Sequence, residues 1–417
     1  MTTVQKRSPL RFAAVAGPVM ALALAACAGP AGADGDRAAA SDAPSTEAEV
    51  GAPRVVVSYD GGLLVLEGDS LEQVDDVPLD GFLRLNPAGD ARHVIVSTDD
   101  AFRVLDTGVT IEEHGDHDHY YAEPPELTDL EFAAEHPGHV TTHAGTTALF
   151  ADGTGRVELF DPSALEGGDL DVTQDVTEYV SPDAHHGVAV ALEGDSLLTT
   201  VGTSDSRSSV VVLDADRAEL ARTDDCPGVH GETVAADEVV VLGCENGAVL
   251  YRDGAFTKIA APDAYGRIGN QAGSPESEVV LGDYKVDAEA ELERPERVSL
   301  IDTDTATLRL VELGTSYTFR SLARGPHGEA LVLGTDGAIH VIDPVAGAVA
   351  SRFEVIDPWT EPTDWQEARP SLEVRGHRAY VTDPATSMVH VVDLESGEIT
   401  ASAELPHVPN ELSTVGE

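Results

Sequence analysis

Val211-Val212-Leu213-Asp214 is the phrase that decides the fold, because six related phrases recur along the chain. Each is a short apolar run, rich in β-branched residues, that reaches an aspartate, as a strand running into a turn does. The other six are Arg103-Val104-Leu105-Asp106, Val157-Glu158-Leu159-Phe160-Asp161, Ala248-Val249-Leu250-Tyr251-Arg252-Asp253, Ser299-Leu300-Ile301-Asp302, His340-Val341-Ile342-Asp343 and His390-Val391-Val392-Asp393. Their spacing of roughly 40–55 residues is typical of the blades of a β-propeller.

Around these phrases the chain continues as short β runs separated by turn dipeptides, without a long helical period. We therefore predict an all-β fold, a β-propeller of seven blades, each a four-stranded antiparallel sheet; eight or six blades remain alternatives. The predicted propeller domain spans residues 54–410, followed by a C-terminal tail at 411–417. The run Val55 to Leu66 precedes the first full unit. We expect it to pair with the C-terminal strands, which closes the ring and removes two exposed edges.

The first 27 residues have the pattern of a targeting segment. Three bases, Lys6, Arg7 and Arg11, precede an apolar stretch that is too short to span a membrane as a mature helix. The stretch ends in Leu24-Ala25-Ala26-Cys27, which resembles the bacterial lipobox, so we expect Cys27 to carry a lipid anchor. An ordinary secretory peptide is the alternative. Residues 28–53, rich in Ala, Gly, Pro, Ser and acids, are expected to form a flexible tether.

Composition disfavours one class of partner, and the lipid-anchor signal suggests a compartment. The 75 acidic residues against 25 basic ones give a net charge of -50, which disfavours binding to nucleic acid. We expect a monomer in the bacterial cell envelope, extracytoplasmic and held to the membrane by its anchor. Beyond Cys27, the two cysteines Cys226 and Cys244 suggest a disulfide, since exported compartments favour oxidation. Metal ligation by their thiolates is the weaker alternative.

A polar stretch, Glu113-His114-Gly115-Asp116-His117-Asp118-His119-Tyr120-Tyr121, carries the clearest chemical signal. Six of the fifteen histidines lie between His114 and His143. Neutral imidazoles interleaved with carboxylates are ligands that Zn²⁺ and related ions prefer. A solvated loop with chance histidines is the bland alternative. The stretch predicts a metal-binding loop.

A second histidine pattern follows the blade period. His143, His186 and His230 are separated by 43 and 44 residues, and each stands just before Gly or Ala-Gly. Because residues at one phase of adjacent blades lie around a common axis, we expect these three imidazoles to converge at the channel mouth and to hold Zn²⁺. The histidine loop should lie on the same face and supply a fourth ligand. The candidates for that ligand are Asp116, His117 and His119, with His114, Asp118, His139 and His185 as further metal-binding candidates.

The HGDHDHYY segment, the phased His143, His186 and His230, and the phrases CPGVHGE and AHHGVA together resemble the AztD-type extracytoplasmic zinc metallochaperones. The resemblance covers roughly residues 54–410. It implies a β-propeller that binds Zn²⁺ and passes it by ligand exchange to the solute-binding protein of a zinc ABC importer, without bond-making chemistry. The lipid-anchor signal is a departure, since the best-known members are soluble periplasmic proteins.

Two other functions remain open from the residues alone. Three histidines and an open coordination position also build hydrolytic zinc sites, as in lactonase-like propellers. A metal-free propeller that binds proteins is the third class. The chain has no Gly-x-Ser-x-Gly elbow and no phosphate-binding Gly-rich loop. Because the resemblance implies zinc transfer without bond-making chemistry, we expect no enzymatic activity.

Overall fold

The computed structural model describes residues 46–48, 53–114, 117–168 and 170–416. In these residues the chain forms a β-propeller whose blades are four-stranded antiparallel sheets, as predicted, but there are eight blades rather than seven. The predicted signal segment with Cys27 and nearly all of the predicted tether lie outside the described residues.

Blades I to VIII follow in chain order, and within each blade the strands are named from the innermost to the outermost. Blade I comprises Leu412–Val415, Arg54–Tyr59, Gly62–Glu67 and Gln73–Pro78; blade II, Arg84–Pro87, His93–Ser97, Ala101–Asp106 and Glu126–Ala133; blade III, Pro137–His143, Thr146–Ala151, Arg156–Phe160 and Thr177–Val180; blade IV, Ala189–Leu192, Ser196–Gly202, Arg207–Leu213 and Glu219–Thr223. Blade V comprises His230–Ala235, Val239–Cys244, Asn246–Arg252 and Ala255–Ala260; blade VI, Gln271–Ser274, Ser277–Gly282, Arg297–Asp302 and Thr307–Glu312; blade VII, Leu322–Arg324, Ala330–Leu333, Ala338–Asp343 and Ala348–Glu354; blade VIII, Leu372–Arg375, Arg378–Asp383, Met388–Asp393 and Ile399–Glu404.

Blade I joins the two ends of the propeller. Its inner strand Leu412–Val415 pairs antiparallel with Arg54–Tyr59, in a register that places Val56 opposite Ser413. The expected pairing of the first β run with C-terminal strands is therefore confirmed. The sequence assigned residues 411–417 to a tail, and this boundary is wrong because Leu412–Val415 is an integral strand of the ring.

The seven-blade prediction missed blade I because its third strand ends in Glu67 and not in aspartate. In most of the other blades the aspartate accepts hydrogen bonds from backbone N–H groups of the turn that follows, as Asp343 does from Val345 and Ala346 at 2.8 and 2.9 Å. Glu67 does the same, accepting from the N–H groups of Asp69 and Ser70 at 3.1 and 2.9 Å. The longer side chain accepts the same turn N–H groups, so blade I has a regular structure although its third strand lacks the terminal aspartate.

The core lies between the blades. The second and third strands carry β-branched and aliphatic residues on both faces, and runs such as Val94–Val96 and Val239–Leu242 are completely buried. Burial of each such side chain contributes about 1.5–3 kcal/mol, so every blade is held by its two neighbours. Inner strands are less apolar, because one of their faces lines the central channel.

Antiparallel pairing makes successive connections alternate between two faces of the ring. One face carries the crossovers between blades and the turns between second and third strands, and we call it the front face. The back face carries the turns between inner and second strands and those between third and outer strands. This distinction decides which functional residues can meet.

A β-hairpin, Val109–His114 paired with His117–Ala122, is inserted between the third and outer strands of blade II, and Thr46–Ala48 pairs with its second strand. At its base, Arg92 forms ion pairs with Asp106 and Glu123 at 2.7 and 3.1 Å. The helices Pro162–Gly168 and Ala236–Glu238 are short 3₁₀ turns. In the part of the chain that the structure describes, no helix has the length and apolar character to cross a bilayer.

Candidate metal centre

Three histidines from adjacent blades meet on the front face. His139 lies on the inner strand of blade III, His186 lies in the crossover to blade IV, and His230 begins the inner strand of blade V. One ring nitrogen from each lies within 4.8 Å of those of the other two. The Nε2 atoms of His186 and His230 are 3.0 Å apart. The predicted convergence of imidazoles one blade apart is found, with a different third member.

His143 is the residue that the phase argument misplaced. It ends the inner strand of blade III, four residues beyond His139, which is about 13 Å along a β-strand. Its Nδ1 donates to the carbonyl of Ala191 at 2.6 Å, and it lies apart from the other three rings. The inner strand of blade III is long and contains a bulge near Pro137, so equal sequence spacing did not mean equal height.

Each ring of the cluster is held through its Nδ1. His186 donates to Asp152 Oδ2 at 2.5 Å, and His230 donates to the Gly269 carbonyl at 2.6 Å. The Nδ1 of His139 lies 3.0 Å from Glu232 Oε2. Oxygens of this kind fix the proton on Nδ1 and leave the lone pair of Nε2 available. This arrangement is how proteins orient histidines that ligate zinc.

The short distance between His186 and His230 also fits a cation. Two neutral imidazoles that both carry their proton on Nδ1 present lone pairs at Nε2, and lone pairs 3.0 Å apart repel each other. Nitrogens bound to one tetrahedral Zn²⁺ at 2.0–2.1 Å are about 3.3 Å apart. The donor set therefore fits one zinc ion with little movement, and three ligands leave one position open.

The charges at the site balance a divalent ion. Asp152 and Glu232 supply two carboxylates beside the three rings. Burial lowers the pKa of His139, but Glu232 outweighs burial and holds that pKa above its ordinary value. Burial, together with the neighbouring His139 and His186, lowers the pKa of His230 well below its ordinary value. His230 is thus ready to ligate near neutral pH, whereas protons compete with a metal ion for His139 more strongly than for an ordinary histidine.

Local backbone features position the ring of His230. Gly231 follows His230 with a φ of +71°, and a Cβ atom there would lie 2.4 Å from Oε1 of Gln271. The disulfide between Cys226 and Cys244, which confirms the predicted pairing, ties the segment before His230 to the adjacent strand of blade V. The Gly269 N–H donates to the buried Asp283 at 2.7 Å, which holds the carbonyl that receives His230.

The remaining sequence candidates are not part of this cluster. His185 is buried, and its two ring nitrogens lie 2.9 Å from the Asp183 carbonyl and from Thr200 Oγ1. Asp116 lies outside the described residues. His114, His117, Asp118 and His119 lie on the hairpin, for which the structure describes the backbone but not these side chains.

The histidine-rich hairpin emerges from the back face, whereas the three-histidine cluster lies on the front face. It connects the third and outer strands of blade II, which makes it a back-face connection, whereas His186, Asp152 and Gly269 all belong to front-face segments. The prediction that this loop covers the three-histidine site from the same face is therefore wrong. It assumed that the loop was a crossover between blades, but the outer strand of blade II follows the hairpin.

Sequence reasoning missed Asp152, Glu232 and the Gly269 carbonyl. Glu232 carried only a weak signal, its position two residues after His230 in the CPGVHGE phrase, because a register shift between the two residues interrupts the alternation of the strand. Asp152 comes from a turn of blade III and approaches His186 only through packing of adjacent blades. A backbone carbonyl has no sequence signal.

We expect Asp152→Asn to weaken zinc binding by about 10–100-fold, because loss of the carboxylate loosens His186 and lowers its basicity. Competition with a chromophoric chelator measures this change. Asp336→Asn is the matched control, since Asp336 forms a similar pair with His340 at 3.1 Å in blade VII. Equal losses of affinity in both variants would contradict the orienting role of Asp152.

The fold and site define a β-propeller with a three-histidine cluster compatible with metal binding. The chain is 26% identical over 320 residues to the zinc chaperone AztD of Citrobacter koseri, covering 74% of this chain and 73% of that protein. The crystal structure of Citrobacter koseri AztD superimposes with a TM-score of 0.76 at 23% identity, covering 88% of this chain and 99% of the other. Its apo form gives 0.74 at 22% identity over the same shares. The resemblance to AztD-type proteins is confirmed.

No protein-family profile matches the chain.

Proposed function

We propose that this protein is an extracytoplasmic zinc metallochaperone that delivers Zn²⁺ to the solute-binding protein of a zinc ABC importer. The observation that carries the proposal is the convergence of His139, His186 and His230, each held at Nδ1 by an oxygen. The sequence similarity to a protein named as a zinc chaperone supports the same conclusion.

The exposure of the site suits transfer. The side chains of His186 and His139 are 37% and 21% exposed, so a ligand from another protein can reach an ion held there. With three histidines and one open position, an incoming donor binds before a resident histidine leaves. The ion then passes between proteins without being released into solvent, and no covalent bond is made or broken.

The N-terminal sequence supports an extracytoplasmic location for this activity. Lipidation at Cys27 would hold the propeller on the outer side of the membrane, near an importer. The net charge of -50 makes membranes and nucleic acids poor partners for the propeller itself. We propose a protein partner that presents its own zinc ligands to the front face.

The decisive experiment measures transfer directly. Protein purified without chelator is analysed for metal, loaded with one equivalent of Zn²⁺ and mixed with a candidate solute-binding protein. We expect transfer to be faster than spontaneous release into a chelator, and its rate to rise with partner concentration. The His186→Ala/His230→Ala variant is the negative control.

Transfer no faster than release, or purified protein without zinc affinity, would contradict the proposal. Turnover of lactones or esters that depends on added zinc would instead support the hydrolase alternative.

Zinc binding should weaken as pH falls, and earlier than for an ordinary histidine site. Ligation needs a neutral imidazole, and the raised pKa of His139 means that protons begin to compete above about 6.5, its unperturbed value. Each protonated ligand costs up to about tenfold in affinity per pH unit below its pKa. Zinc titrations between neutral and acidic pH measure the midpoint.

Glu232→Gln is the diagnostic variant, because it removes the carboxylate that raises the pKa of His139. Its pH midpoint should move downward even if overall affinity falls. An unchanged midpoint would show that another group controls the pH dependence.

A further inference from the structure

His143 is not part of the front-face cluster, but its ring is oriented as the rings of metal-ligating histidines are. Its side chain is 10% exposed, and its Nδ1 donates to the Ala191 carbonyl at 2.6 Å, so the lone pair of Nε2 is available. This Nε2 atom is buried and makes no well-aligned hydrogen bond, although the carboxylate of Glu238 is close to it. A buried polar atom whose hydrogen bonding is incomplete calls for an explanation.

Glu238 stands opposite that nitrogen. Its Oε2 lies 2.6 Å from Nε2 of His143, but off the direction in which a ring N–H would donate, since the contact does not form a hydrogen bond. A simple ion pair would align the proton with the oxygen. Two ligands of one tetrahedral zinc ion are about 3.3 Å apart, and because Glu238 is 68% exposed its carboxylate can move outward and admit an ion between the two groups.

The turn that presents Glu238 is strained. Asp237 and Glu238 both have positive φ values, 57° and 58°, although neither is glycine. Two-residue turns of this kind favour Asn-Gly, because side chains oppose the left-handed conformation. Such conformations persist where the surrounding structure holds them and often accompany function. Here the strained turn carries a carboxylate, 68% exposed, to the back mouth of the channel.

We propose that His143 and Glu238 form a second, weaker site for a divalent transition-metal ion, with Zn²⁺ as the expected cargo and water completing the coordination. The site uses blades III and V, with blade IV orienting the ring through Ala191, so the same three blades serve both sites. His143 lies about 13 Å from His139 along one inner strand. That the second site binds Zn²⁺ transiently during transfer rests on the proposed function.

Its position links it to the histidine-rich hairpin. Glu238 lies in a turn between inner and second strands and the hairpin lies between third and outer strands, so both belong to the back face. In this scheme the hairpin collects Zn²⁺, the second site passes it on, and the front-face cluster binds it tightly.

The test starts from the full chain with two sets of ligands removed. The front face carries His186→Ala/His230→Ala, and the hairpin carries His114→Asn, His117→Asn and His119→Asn. Titration with Zn²⁺, and with Co²⁺ followed by its absorption spectrum, should show one remaining weak equivalent. Adding Glu238→Gln should weaken this equivalent by at least about tenfold. Glu238 is exposed, so this variant does not threaten folding, and His143→Ala provides the second measurement.

With the hairpin histidines replaced and the front-face cluster intact, Glu238→Gln should remove the weak equivalent and leave the tight one intact. His390→Ala, which changes a ring bonded to Ser402 in blade VIII, is the control and should alter neither. A weak equivalent that survives both His143→Ala and Glu238→Gln would overturn the second site. Survival of the tight equivalent after loss of His186 and His230 would instead overturn the front-face site of the proposed function.

Discussion

Replacing His186 and His230 together with alanine should abolish tight zinc binding. Both rings present Nε2 to the same point, 3.0 Å apart, and their loss leaves His139 as the sole remaining imidazole of the cluster. Changes to groups that merely orient a ligand cost about 10–100-fold in affinity, so removing two ligands should exceed 100-fold. Competition against a chelator of known affinity measures the loss, and metal analysis gives the stoichiometry.

His143→Ala separates the two geometric hypotheses. Sequence spacing placed His143 in the tight site, whereas the structure places His139 there. The tight equivalent should therefore survive His143→Ala and be lost in His139→Ala. The reverse result would restore the arrangement expected from the blade period. Circular dichroism of each variant shows whether the propeller remains folded.

Removing the disulfide should have the largest effect on stability. Cys226 and Cys244 are completely buried and close a loop across a sequence separation of 18 residues. In the chain-entropy account, losing such a cross-link lowers the free energy of unfolding by about 3 kcal/mol. Cys226→Ala/Cys244→Ala avoids burying new polar groups, and urea-induced unfolding without zinc measures the change.

The same variant should also bind zinc more weakly, because the segment from Cys226 leads directly to His230. Saturating zinc should then recover part of the lost stability, since an ion that binds only the folded state stabilises it. Stability unchanged to within about 1 kcal/mol would show that blade packing alone holds the segment. Reduction of the unmodified protein with dithiothreitol provides an independent comparison.

Most of the fold followed from local signals. Apolar runs that end in aspartate identified the third strands of seven blades, because the turn after such a strand needs an acceptor for its backbone N–H groups. Blade I escaped because Glu67 supplies that acceptor, and because its inner strand comes from the distant end of the chain. Pairing between distant segments has no local pattern beyond apolar character.

The site was only partly accessible to the same reasoning. His186 and His230 were identified because both stand where the chain enters an inner strand. His139 was assigned a minor role because the blade period matched His143, whereas it is His139, four residues earlier on the long inner strand of blade III, that lies at the height of the cluster. Asp152, a turn residue, and the carbonyl of Gly269 became recognisable as partners only through the packing of blades.

The sequence by itself determined an all-β propeller, its antiparallel blades, a disulfide between its last two cysteines and a chain rich in zinc-ligand side chains. These properties depend on composition, turn chemistry and the two-residue alternation of strands, which are local. Only the tertiary structure decided the number of blades, which histidine completes the front-face cluster and on which face the hairpin emerges. Those outcomes depend on strand length, bulges and the order of connections within a blade, because each changes the height and direction of a side chain without changing its spacing along the chain.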